Sequence, residues 1–362
     1  MNMKVGIAAV VGCVVAFPLL GLGPEHVGTA ATLQGRKPPK GSTTEIATLT
    51  RLPSLGSNAE ALAVNEDGTI IVGTSFDRAD LLYAVTWTRQ NGSWVIAKLP
   101  YPGTAARATG VDNHGNVVGY AASLLRYPVL WPAEGGYHVL GCDSEQGMAN
   151  AISADGKTIV GHAVRTGAGP RAWPSPQYCG ERLPLQEEGG FAATYAVNGD
   201  GSIIGGSSAP GLDDSNAPTR WTGPQGERQI EVLDARRGVV LGANATGDLA
   251  GYVTTPCASA DGCQRAVIWY AAGGSKELGT LGGEHSWARD INGSGEVVGG
   301  STSTRLGNTG YFWSESMGMF QLPAGKRWAA ANGVSDVRSD GTRLVVGMDS
   351  QATAVVWVIR NP

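Results

Sequence analysis

The stretch Ala288-Arg289-Asp290-Ile291-Asn292-Gly293-Ser294-Gly295-Glu296-Val297-Val298-Gly299 holds one complete statement of the chain's organising pattern. A short strand runs into Asn292, a turn closes on Gly295, a β-branched pair follows, and Gly299 ends the unit; after a variable loop, Tyr311-Phe312 leads into Trp313. The same grammar recurs on both sides. Turn glycines stand at Gly68, Gly115, Gly156, Gly201, Gly247, Gly295 and Gly341, 41 to 48 residues apart, and tryptophans at Trp87, Trp131, Trp173, Trp221, Trp269, Trp313 and Trp357, 42 to 48 apart. Two independent markers thus keep one period near 45 residues, with four strand signals per unit. That period predicts an all-β, seven-bladed β-propeller, and the lack of a sustained 3.6-residue pattern disfavours an α-solenoid.

Repeat one shows the unit in full: Ala61 to Asn65, the turn Glu66-Asp67-Gly68, Thr69 to Thr74, Leu82 to Thr88, an Asn91-Gly92 hairpin turn, and Trp94 to Leu99. Gly68 and its equivalents sit where positive φ is needed. The glycines after the β-branched pair (Gly73, Gly119, Gly161, Gly205, Gly251, Gly299 and Gly347) predict a close backbone approach. Small residues at Ala63, Gly110, Ala151, Ala196, Gly242 and Gly333 suit a crowded axis. Fourth strands end in Leu followed by Pro or Gly, as at Leu99-Pro100, Leu140-Gly141, Leu183-Pro184, Leu278-Gly279 and Leu322-Pro323. Repeat seven lacks that strand, and Glu45 to Leu52, ending in Leu52-Pro53, supplies it; the N-terminal strand is expected to close the last blade and remove the open sheet edges.

Composition agrees. The chain has 362 residues and 54 glycines, about twice ordinary usage, and only 16% charged residues. At 42% hydrophobic it can bury a large core, and its glycines lack a collagen period. A net charge of −4 argues against nucleic acid as a partner. Residues 1–31 read as an export signal: a basic start at Lys4, an apolar stretch from Val5 to Leu22, and small residues at Gly28 to Ala31. Two rival readings are a lipoprotein box, Val10-Val11-Gly12-Cys13, with Cys13 lipidated, and an uncleaved anchor. All place residues 43–362 outside the cytoplasm, secreted, periplasmic or held to the envelope, after a linker at 32–42; membrane contact is expected only through that N-terminus, and the chain is expected to be a monomer.

Four cysteines remain, an even number that favours disulfides in an exported chain: Cys257 with Cys263 around a polar loop, which leaves Cys142 with Cys179. A metal or other cofactor is not expected, since no CxxC pair is present and no histidine neighbours these cysteines in sequence.

The segment around Ala288 to Gly299, with Leu278-Gly279-Thr280-Leu281-Gly282-Gly283, resembles the repeat of bacterial extracellular proteins named for a His-Ala-Phe (HAF) tripeptide. The resemblance spans residues 43 to 362. It departs from the name motif, with Tyr83-Ala84-Val85, Arg265-Ala266-Val267 and Gly310-Tyr311-Phe312 before tryptophans. It implies export and a propeller-like fold, and no known activity.

Propellers act through residues at the channel mouth, carried by the inner strands and the loops that enter them. Aligned on the inner-strand Asn, the candidates are Glu60, Arg107, Asn150, Tyr195, Trp287, Arg289 and Asn332, with His285, Arg327 and Trp328 in connecting loops. Aromatic faces with Arg and Asn donors suit a carbohydrate or a carboxylated envelope component; a solvated rim without a partner is the plainer reading. A propeller hydrolase or lyase, with Glu60 paired to Glu145, Glu187 or Glu284, is the alternative, and a structural repeat presenting loops to a protein partner is a third. No catalytic residue is assigned. His114 lies in a surface turn and His162 follows a scaffold glycine, the expected posts of non-catalytic histidines.

Overall fold

The computed structural model describes residues 46–360, apart from 102, 142–145, 164–168, 175–179, 189, 212–215, 260, 306 and 325–327. The export segment, Cys13, the linker, the Cys142–Cys179 pair, Glu145 and Arg327 lie outside the described residues.

Among the described residues, strands form five four-stranded sheets and one eight-stranded sheet. The larger sheet is two blades joined by a single parallel pairing, Leu82 with Ala105, which makes seven blades in all. Blade 1 runs outward as Ala59–Val64, Ile70–Phe76, Leu82–Gln90 and Ser93–Lys98. Blade 7 runs as Ala329–Val334, Thr342–Asp349 and Ala354–Arg360, and its fourth strand is Ala47–Arg51, antiparallel to Ala354–Arg360. The N-terminal strand closes the last blade, as the sequence predicts.

Each unit folds for local reasons. The seven turn glycines all have positive φ, from +71° to +91°. The Asn-like residue before each turn locks it: Asn65 Oδ1 accepts the Ile70 amide (2.9 Å), Asn292 Oδ1 the Glu296 amide (3.0 Å) and Ser153 Oγ the Thr158 amide (2.9 Å). The core is divided among the seven blade interfaces. Val72 and Ala84 of blade 1 pack with Ala108 and Trp131 of blade 2, and Leu344 and Val356 of blade 7 pack with Ile71 and Trp87 of blade 1. Each sheet is therefore covered on both faces, which accounts for the low charge.

The repeated tryptophans and the Leu-Pro strand endings are halves of one contact. The indole Nε1–H groups of Trp87, Trp131, Trp221 and Trp357 donate to the carbonyls of Pro53, Pro100, Pro184 and Pro323 at 2.7 to 2.9 Å. Each proline ends the blade before its tryptophan, so every Leu-Pro ending latches the next blade. Where the ending is Leu140-Gly141 or Leu233-Asp234, the indole nitrogens of Trp173 and Trp269 find no hydrogen-bond partner among the described residues. Trp87 to Pro53 is the latch that joins blade 1 to the closing strand. Glu296 and Arg343 add a buried ion pair between blades 6 and 7 (Nε to Oε2 2.7 Å).

One expectation is corrected. In blade 4 the close approach belongs to Gly206, not Gly205: a Cβ on Gly206 would lie 2.0 Å from the Ala193 carbonyl oxygen. The other six glycines meet the equivalent carbonyl, at 2.0 Å for Gly73 and 1.8 Å for Gly347. Gly205 sits one register step earlier, opposite Ala196.

Candidate functional site

Every inner strand carries a β-bulge at the same place. Pairing to the second strand skips one residue between Ala61 and Ala63, Ala108 and Gly110, Ala149 and Ala151, Thr194 and Ala196, Val240 and Gly242, Ala288 and Asp290, and Ala331 and Gly333. The glycine opposite makes room for it, because its missing Cβ lets the carbonyl two residues before the bulge come close. A bulge re-aims the skipped side chain. The skipped residues are Leu62, Thr109, Asn150, Tyr195, Leu241, Arg289 and Asn332, and all seven line a central channel of about 220 Å³.

Three of these side chains also tie neighbouring blades. Thr109 Oγ1 donates to the Ala149 carbonyl (2.9 Å), Asn150 Nδ2 to that of Thr194 (2.7 Å) and Asn332 Nδ2 to that of Ala61 (2.8 Å). In each case the acceptor is the residue before the bulge in the next blade.

Of the sequence candidates, Asn150, Tyr195, Arg289 and Asn332 share this bulge ring, whereas Glu60, Arg107 and Trp287 occupy the position two residues earlier. Glu60 sits between two donors: Arg107 Nη2 at 3.2 Å from Oε2 and Asn332 Nδ2 at 3.2 Å from Oε1. Burial holds the Arg289 guanidinium below its ordinary pKa, with Glu60 pulling it up and Arg107 pushing it down. Two guanidinium groups thus face one engaged carboxylate, and this end of the channel is net positive. The Trp287 ring lies against Gly300, where a Cβ would be 2.2 Å from a ring carbon, so it packs within its blade. Trp328 is 38% exposed just before the inner strand of blade 7. His285, expected in a connecting loop, lies on the inner strand Gly282–Ile291 beside Cys263 and does not line the channel. Glu187 and Glu284 are exposed and absent from the channel wall.

Two more residues bear on the channel: His162, whose non-catalytic post the sequence anticipates, and Asp290, which the sequence reading does not single out. His162 is buried behind the ring, its Nδ1 3.3 Å from Asn150 Nδ2 and its ring 6.4 Å from that of Tyr195. Burial lowers its pKa to about 4, so it is neutral at pH 7 and serves as a prop for two lining side chains. Asp290 stands after the bulge, where the other blades have Ala63, Gly110, Ala151, Ala196, Gly242 and Gly333. Its carboxylate accepts the amides of Ile291 and Val334, each at 2.9 Å. Burial, aided by Asp336 and Glu66, nevertheless raises its pKa to about 7. The signal was legible as the one break in a run of small residues. Glu66 and Asp336 line the channel's other end with Asp290, and burial raises Glu66 as well. The channel is polarised, basic at the Arg289 end and acidic at the turn end.

No family model matches the sequence, and no curated protein matches it. Solved structures do resemble the fold. The β-propeller domain of the Trilobed protease from Pyrococcus furiosus, described as having an open velcro topology, superposes with a TM-score of 0.53 at 9% identity, covering 83% of this chain and 93% of that one. A catalytically inactive virginiamycin B lyase from Staphylococcus aureus with quinupristin gives 0.51 at 9% identity, covering 87% and 100%. U3-55K gives 0.52 at 12% identity, covering 86% and 98%. At such identities the likeness establishes the fold alone: this chain is built as a β-propeller.

Proposed function

We propose that the chain is an exported propeller that binds a small carboxylate-bearing carbohydrate, or a similar envelope component, at the basic end of its channel. The observation that carries this reading is the bulge ring. An otherwise repeated scaffold delivers chemically different side chains to one small channel, among them an aromatic ring, two amides and a guanidinium. Arg289 and Arg107 supply charge-assisted donors for a carboxylate, and Tyr195 a face for a sugar ring. Kinship to the HAF-repeat proteins, export through residues 1–31 and a monomeric state belong to the same reading. Binding is preferred over glycoside hydrolysis because Glu60 already holds Arg107 and Asn332, and neither Glu187 nor Glu284 joins it at the channel.

A panel of neutral and acidic saccharides titrated calorimetrically tests the reading. An acidic sugar is expected to bind, and Arg289→Ala to weaken it by about 10- to 100-fold, the size of a lost charged hydrogen bond. Tyr195→Ala weakens acidic and neutral sugars alike. If Arg107→Ala, Tyr195→Ala and Arg289→Ala all leave the affinity unchanged, the channel is not the site. Release of reducing ends or unsaturated sugars during the titration would replace binding with catalysis.

A further inference from the structure

A second cluster lies where blade 5 meets blade 6. Cys263 opens the third strand of blade 5, Cys263–Trp269, while Glu284 and His285 lie on the inner strand of blade 6, Gly282–Ile291. One ligand atom from each of Cys263, Glu284 and His285 falls within 4.8 Å of the other two. Cys257 is held at the same place by its disulfide to Cys263. Two hydrogen bonds fix the segments side by side, from the Ala266 amide to Ser286 Oγ (3.0 Å) and from the Gln264 amide to His285 Nδ1 (3.3 Å), while the His285 amide donates to Thr302 Oγ1 within its own blade (2.8 Å).

We propose that Cys257, Cys263, His285 and Glu284 form a zinc site that the disulfide masks. Two thiolates, an imidazole and a carboxylate are a tetrahedral donor set of the kind zinc takes, and the sulfur ligands discriminate against magnesium and calcium. Cys263 is buried, His285 is half-buried and Glu284 is exposed, so the site opens to solvent on its carboxylate side. Three anionic ligands around a divalent ion leave one negative charge. The Arg265 guanidinium, which donates to the carbonyls of Gln264 and Glu284, stands beside the site to balance it. Ligation through His285 Nδ1 exchanges the 3.3 Å bond from Gln264 for the metal bond.

Unmasking is a two-electron step. A dithiol reductant gives two electrons and two protons to the sulfur–sulfur bond and is itself oxidised to a disulfide, leaving Cys257 and Cys263 as thiols. Zinc then displaces both thiol protons to solvent. In the oxidised protein neither sulfur is a thiolate, so only His285 and Glu284 remain, too few for a closed site. The same two cysteines therefore serve as a loop staple in one state and as metal ligands in the other.

The test uses the full chain carrying Cys142→Ser and Cys179→Ser, so that the loop pair is the reducible one in the propeller. Oxidised protein and protein reduced with a phosphine and desalted are each titrated with zinc, and with cobalt as a spectroscopic probe. The reduced form is expected to bind one equivalent of zinc at least 100-fold more tightly than the oxidised form, and cobalt to show a thiolate charge-transfer band. His285→Ala is expected to weaken zinc binding by the reduced form at least tenfold without preventing disulfide formation. Where reduction lowers the melting temperature, zinc restores it. Equal affinities in the two states, no effect of His285→Ala, or a reduced protein that zinc neither binds nor restabilises would overturn the proposal.

Discussion

At the residue scale, His162 shows how a scaffold position can serve a site without touching a ligand. Its neutral ring is buried against Asn150 and Tyr195, and its folded pKa of about 4 lies below the ordinary 6.5. The stability this gives is fully present above pH 6.5 and is lost as pH falls toward 4, because only the unfolded chain then takes up the proton. The loss reaches about 3 kcal/mol at pH 4, at ~1.4 kcal/mol per pH unit. Asp290 runs the other way, since its raised pKa contributes stability at low pH that fades as pH rises through about 7. Denaturant midpoints measured from pH 7 to pH 4.5 for the native chain and for His162→Gln share the Asp290 slope, so their difference isolates His162. The two curves are expected to converge as pH falls; parallel curves would show that the ring is not buried as a neutral group.

At the element scale, the bulge and its facing glycine are one device, repeated seven times with different cargo. The glycine provides room for a carbonyl, the carbonyl's strand takes an extra residue, and that residue enters the channel. Blade 4 allows a direct comparison, since Gly205 and Gly206 are adjacent. Gly206→Ala drives a methyl to 2.0 Å from a backbone oxygen, whereas Gly205→Ala meets a Val240 methyl at 2.4 Å. Backbone cannot rotate away as a side chain can, so Gly206→Ala is expected to cost more, ~3 kcal/mol or beyond, while Gly205→Ala stays within the ~1–3 kcal/mol of an overpacked core. Thermal melts of the two variants decide it; equal losses would put the close approach in the wrong place.

At the scale of the whole molecule, the ring depends on one seam. Blade 7 borrows its outer strand from Ala47–Arg51, and the Trp87 indole latches blade 1 onto Pro53 just after that strand. Removing residues 43–53 exposes the edge of Ala354–Arg360, uncovers Trp87 and Ile71, and opens the interface between the first and last blades. The shortened chain is expected to melt at least 10 °C lower and to aggregate on heating, since an open strand edge templates pairing with other chains. An unchanged melting temperature would mean that the seam contributes nothing. The polarised channel also belongs to this scale, because blades 1, 2 and 6 together supply Glu60, Arg107 and Arg289 at one end, and blades 1, 6 and 7 together supply Glu66, Asp290 and Asp336 at the other.

Much of this was written in the sequence. Repeat length, turn glycines and tryptophans are local chemistry imposed on every blade, and Leu-Pro endings on four of them, so seven copies average out accident and give the blade count, the strand order and the closing strand, with strand bounds that the structure moves by one or two residues. The site was legible only in part. Asn150, Tyr195, Arg289 and Asn332 are legible because they break a repeat, and Glu60, Arg107 and Trp287 join them as candidates near the mouth, but only the bulge separates the side chains that line the channel from those two residues earlier. Asp290 was overlooked although it interrupts a run of small residues, and Cys263 was read as having no histidine near it. The fold brings His285 to that cysteine across a blade boundary, 22 residues along the chain. Sequence determined the blade because each blade's hydrogen bonds and turns are short-range. Which side chains meet across blades was decided by closure of the ring, which sets residues from different repeats within bonding distance.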